Sequence, residues 1–180
     1  MRIIRNILYG LDLSSYWTGR IFSWLAIAII VNIFYEVIAR YFFDAPTLWG
    51  YDMAYYLGGS FITLGACYVT LVKRHVRIDV FYMRFPRKIQ LWIDTIFTVV
   101  FFSPLWVALT YISWKRFAIA VKSGELSIVG FWYPPLWPIR LTVALGMTLF
   151  VIAGISWLIK TIYELRTGSE IQTGLEAPPR

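Results

Sequence analysis

Four long apolar runs, at residues 21–39, 53–72, 91–113 and 139–159, take up nearly half of a 180-residue chain, and almost every charge falls between them. A bilayer core of ~30 Å is crossed by ~20 apolar residues of helix. Each run has that length, so the spacing predicts four transmembrane helices and an all-α integral membrane protein. Only the first run holds an acid well inside its limits, Glu36; the third has Asp94 near its start. The pieces between the runs are short, the longest at about 114–138, and none is large enough to bury a core of its own. Residues 1–166 therefore read as a single membrane domain, and 167–180 as a polar, disordered tail ending in Ala177-Pro178-Pro179.

Composition agrees. The chain is 59% hydrophobic and 19% aromatic, more than a soluble domain of this length carries. A net charge of +7 could point to nucleic acid in a soluble protein, but here the basic residues flank apolar runs, where topology explains them. Nucleic acid is not an expected partner; the lipid bilayer is. Cys67, the only cysteine, lies inside the second run. It offers neither a disulfide framework nor a metal cluster and reads as a small packing residue.

Orientation follows from charge. With the N-terminus inside, the inner segments hold twelve of the seventeen lysines and arginines and the outer segments five: Arg40, Lys115, Arg116, Lys122 and Arg140. Short loops obey this bias, so both termini are expected in the cytoplasm. Aromatic rings mark the two interfaces: Trp17, Trp24, Trp92, Trp157 and Tyr163 inside; Tyr41, Trp49, Trp114, Trp132, Tyr133 and Trp137 outside. The first run is too long for the apolar core of a signal peptide, and no small-residue cleavage site follows it. Before it, Ile3, Ile4, Ile7, Leu8 and Leu11 recur at helical spacing, with Arg2, Arg5, Asn6 and Asp12 elsewhere on the wheel. This predicts an interfacial amphipathic helix over residues 1–17, basic on its wet side; the competing reading is a frayed terminus.

Local features refine the runs. Gly58 and Gly59 precede Gly65 and Ala66 by two turns, a small-residue face suited to close helix contact. Pro104 removes one hydrogen bond inside the third run, predicting a kink. The segment Phe131-Trp132-Tyr133-Pro134-Pro135-Leu136-Trp137-Pro138 is a stiff aromatic entry to the last run.

Few residues can carry chemistry. Glu36 has Arg40 four positions on, the spacing of a helical ion pair, and Asn32 lies one turn deeper on the same face. Its role is either structural, as a pair or subunit contact, or that of an ion or proton site. His75 sits in Lys73-Arg74-His75-Val76-Arg77-Ile78-Asp79, which reads as a basic anchor at the inner headgroups. One histidine cannot supply a bis-histidine haem site. There is no phosphate-binding glycine loop with a lysine, no His-Glu-x-x-His and no Gly-x-Ser-x-Gly. The broken half-helices of a self-sufficient secondary transporter are missing as well. No enzyme activity, cofactor or metal is expected.

The order Arg40-Tyr41-Phe42-Phe43, Trp49, a glycine-bearing second run and then Lys73-Arg74-His75-Val76-Arg77-Ile78-Asp79 resembles the small membrane (DctQ-like) subunit of tripartite ATP-independent periplasmic (TRAP) transporters. The likeness is best over about residues 29–85. It implies a scaffold for a large membrane subunit, in ion-gradient-driven, typically sodium-driven, uptake of a small organic acid. A periplasmic substrate-binding protein would deliver that cargo, at the bacterial inner membrane. The residues placed at partner contacts or anchoring positions are Glu36, Arg40, Trp49, Asp52, Gly58, Gly59, Gly65, His75, Arg77 and Asp79. The family commonly carries an acidic pair just after the tryptophan; here Gly50, Tyr51 and Asp52 follow Trp49, so only Asp52 can stand in. Two other readings stay open: a haem-free membrane anchor of a redox enzyme, and a small channel. The channel would need a polar stripe through several runs, and only the first shows one.

Overall fold

The computed structural model of the chain describes residues 2–72, 85–169, 171, 174 and 175. It is built of helices: α1 (Arg2–Phe22), α2 (Trp24–Phe42), α3 (Gly50–Leu71), α4 (Arg87–Phe97), a π-helical segment at Thr98–Phe102, α5 (Ser103–Ser123) and α6 (Trp137–Thr167). Among the described residues four helical stretches are long and apolar enough to cross a membrane, at Asn6–Phe42, Gly50–Leu71, Arg87–Ser123 and Trp137–Thr167. Each contains one of the runs expected from sequence or nearly all of it. The helices outlast the runs because their ends carry polar residues in regular helical structure.

Helix α6 is the centre of the bundle. It packs on α3 along one side and on α5 along another, while α1 rests on both α3 and α6, and α2 packs chiefly on α3. Close approach is set by small residues, as expected where lipid removes the hydrophobic drive between helices and leaves van der Waals packing. A Cβ at Gly146 of α6 would come within 2.8 Å of the Thr63 backbone on α3, and one at Gly154 would strike the Phe102 ring. About one turn before Gly146, Ser60 Oγ and Thr142 Oγ1 share a hydrogen bond of 3.0 Å. Phe102, Trp106 and Phe150 form an aromatic cluster, with centroids 5.3 and 4.5 Å from Phe150, joining the third span to α6.

The break expected at Pro104 takes a specific form. A proline ring clashes with the carbonyl four residues earlier, here that of Val100, which lies inside the π segment. The widened turn, with the Ser103 amide reaching back to the Thr98 carbonyl, relieves that clash while the chain remains helical.

Two expectations need correction. Asp12 was placed toward water on α1; instead it is 2% exposed and faces α6. Leu8, Asp12, Ser15 and Gly19 form the face of α1 that is seated on the bundle, and Ile7, Trp17 and Ile21 point outward. Lys160 on α6 supplies the opposing charge that allows this carboxylate to be dry. The glycines of α3 also divide. Gly59 meets Ile139 of α6, at 3.2 Å from a built Cβ, whereas Gly58 and Gly65 have open space beside them. Residues 58 and 59 are ~100° apart on a helix, so they cannot serve one neighbour equally.

Between α5 and α6 the chain makes a hairpin-like loop. Gly124 ends α5 in the left-handed conformation, φ +62°, where glycine carries no Cβ penalty. The Ser127 amide then donates to the Pro134 carbonyl (2.7 Å), and the Leu136 amide to the Glu125 carbonyl (2.9 Å).

Candidate partner-contact site

The polar residues singled out in the second half of α2 meet the start of α3. Asn32, Glu36 and Arg40 recur every four residues and so form one stripe. Arg40 Nη2 donates to Glu36 Oε1 at 2.8 Å. The other carboxylate oxygen receives the Thr47 hydroxyl and, at 3.3 Å, the Thr47 amide. Thr47 Oγ1 in turn accepts from the Gly50 amide (3.2 Å), covering one of the open donors at the start of α3. Asn32 Nδ2 donates to the Gly50 carbonyl at 3.0 Å. Gly50 leaves room for this network, since a Cβ there would come within 2.6 Å of Glu36 Oε2 and Thr47 Oγ1. Tyr35 and Trp49 stack outside this corner, 5.6 Å apart and 22° from parallel.

Glu36 is engaged on both oxygens, with its side chain 16% exposed, while Arg40 is 58% exposed. The carboxylate closes the α2–α3 corner, and the guanidinium is the part that faces outward. Beside them lies a groove of about 300 Å³ bordered by Asn32, Glu36, Val37, Arg40, Tyr51 and Ala54.

Asp52, two residues past Gly50, points the other way. It is fully buried under the α5–α6 loop, packed against Gly130. Neither of its oxygens has a hydrogen-bond partner among the described residues. Its place in the first turn of α3 sets the carboxylate at the positive end of the helix dipole. Tyr56, one turn on, donates its hydroxyl to the Pro135 carbonyl at 2.9 Å. Nearby, Arg140 pairs with Glu125 and donates to the Arg116 carbonyl at 3.2 Å. Asp52 and Glu36 thus belong to different contacts, though both flank Trp49 in sequence.

His75, Arg77 and Asp79 lie outside the described residues. Among the described residues no three histidine, cysteine or acidic side chains converge as a metal site.

Sequence reasoning missed a second polar cluster. Asp12 Oδ1 accepts from Ser156 Oγ and Oδ2 from Lys160 Nζ, each at 2.6 Å, with all three side chains buried. Its one sequence signal is Ser156 and Lys160 four residues apart toward the C-terminal end of an otherwise apolar helix. A second such contact is a two-point pair of Arg87 with Glu164 at 2.8 and 3.0 Å, which fastens α4 to α6.

Helices with apolar outer surfaces and polar groups largely engaged in internal contacts define a multi-pass helical membrane subunit. The family described as tripartite ATP-independent periplasmic transporters, DctQ component, matches residues 29–163, three quarters of the chain. The chain belongs to that family, whose members are transport components of a tripartite system. A search among curated proteins finds no match.

Proposed function

We propose that this chain is the small, non-catalytic membrane subunit of a TRAP transporter, a scaffold that braces a large membrane subunit. The large subunit carries the substrate and ion sites, and a periplasmic binding protein delivers a small organic acid. Uptake is driven by an ion gradient, in this reading sodium. The chain sits in the bacterial inner membrane with both termini in the cytoplasm, as its inner excess of lysine and arginine argues.

The observation that carries the scaffold reading is how the polar groups of α2 are used. Glu36 is spent on Arg40 and Thr47, and Asn32 on the Gly50 carbonyl. Neither is arranged as a polar path across the membrane. Meanwhile α2 presents Ile27, Ile30, Val31, Phe34 and Val37 outward. On this reading Arg40, Trp49, Gly58 and Gly65 contribute to the contact with the large subunit, and Glu36, Asp52 and Gly59 hold the surface behind it. His75, Arg77 and Asp79 anchor the inner loop.

The test is purification of the tagged chain in mild detergent from its native membrane. A much larger multi-span protein should accompany it. Neither the isolated chain nor the large subunit alone should support uptake in liposomes, whereas the pair with the binding protein should. Ion-driven uptake by the small chain alone would overturn the proposal.

A further inference from the structure

We infer that Asp12, Ser156 and Lys160 form a closure latch that docks helix α1 onto the last helix of the bundle. Asp12 and Lys160 are 148 residues apart in the chain, yet their charged atoms stand 2.6 Å apart. Asp12 is 2% exposed and Lys160 7%. A buried ion pair holds only where its geometry is good and its remaining lone pairs are met. Here α6 supplies a donor to each oxygen of the Asp12 carboxylate, the Ser156 hydroxyl to one and the Lys160 ammonium to the other.

The neighbouring contacts of α1 are of a different kind. Leu8 and Ser15, on the same face, are buried by packing. Gly19 lies against the ring of Tyr68 on α3, and Tyr16 lies 6.3 Å from that ring. The Gly19 contact limits how α1 can sit, since a Cβ there would strike the Tyr68 side chain at its own Cβ. The ion pair adds a directional constraint, because shifting α1 by one residue turns Asp12 by ~100°. The latch therefore fixes the register of α1, a use for which buried charges are well suited. Because α6 is synthesised last, α1 reaches its docked position only on a completed bundle. The two ends of the membrane domain are thereby joined through side chains.

The experiment uses the full chain in open membrane fragments. Ser15→Cys, in a Cys67→Ala background, reports docking, because residue 15 is 1% exposed. Its reaction with a membrane-impermeant maleimide should be slow. Asp12→Asn alone and Lys160→Met alone should each speed labelling by roughly a hundredfold, as loss of one member of a buried pair implies. Two charge-balanced doubles, Asp12→Lys/Lys160→Asp and Asp12→Asn/Lys160→Met, separate pairing from packing. Slow labelling in either double supports the latch. Single variants that label as slowly as the parent, or two doubles that both label as fast as the singles, overturn it.

Discussion

Gly130 lies over the carboxylate of Asp52 so closely that a Cβ at residue 130 would fall within 2.6 Å of the Asp52 Cγ. The α5–α6 loop and the first turn of α3 are in backbone-to-carboxyl contact at this point. Gly130→Ala should therefore destabilise the subunit by about 1–3 kcal/mol, the usual range for overpacking. Asp52→Ser, which shortens the side chain, should recover most of that loss in the double variant. Chemical unfolding in detergent micelles measures both. A Gly130→Ala subunit as stable as the parent would show that the loop yields freely.

Thr47 should matter more than Arg40. Thr47 gives two donors to Glu36 and accepts from the Gly50 amide, whereas Arg40 is a largely exposed partner on the same helix. Thr47→Val leaves a partly buried carboxylate oxygen and a helix-start amide short of partners, at about 1–3 kcal/mol. Arg40→Ala should lower stability by less than about 1 kcal/mol. Thr47→Ser should resemble the parent. The same unfolding assay ranks the three, and equal losses for Thr47→Val and Arg40→Ala would contradict the assignment.

The two adjacent glycines of α3 should respond differently. Gly59→Leu thrusts a side chain at Ile139 and should weaken the isolated subunit. Gly58→Leu enters open space and should leave that subunit intact. Under the scaffold proposal Gly58→Leu lowers recovery of the large subunit in co-purification. If Gly58→Leu unfolds the isolated chain, or if recovery of the large subunit is unchanged, this division of faces fails.

Under the scaffold proposal, Arg77→Glu should reduce co-purification of the large subunit or disturb orientation, since it reverses a charge in the most basic segment of the chain. Protease protection in vesicles reads orientation, and pull-down reads assembly. Normal assembly, orientation and uptake together would remove Arg77 from the proposal.

The sequence carried the architecture because lipid imposes it: span length and helical structure follow from bilayer thickness and backbone hydrogen bonding. The Glu36–Arg40 pair was legible too, being a local i, i+4 contact on one helix. Contacts between helices were not. Asp12 looked like a wet residue because its apolar neighbours Ile7 and Leu11 suggested a lipid-facing stripe. Nothing local in the sequence ties residue 12 to residue 160. Thr47 was likewise passed over, since a threonine in a short loop gives no sign that its hydroxyl will reach back eleven residues to Glu36. The glycines read as one face because the two-turn spacing was counted separately from the ~100° between neighbours.

The π segment at Thr98–Phe102 has a consequence for how the third span can change in length. A wide turn accommodates one residue more than a regular one, so α4 and α5 are out of phase by ~100° relative to a straight α-helix. In that phase Arg87 meets Glu164, while Trp106 packs on Phe150 at the far side of the widening. Deleting one residue there would give a more regular helix and a worse protein, because one of these two attachments would be turned away. The irregular turn works as a phase shifter, setting the heading of the half of the rod before it independently of the half after it.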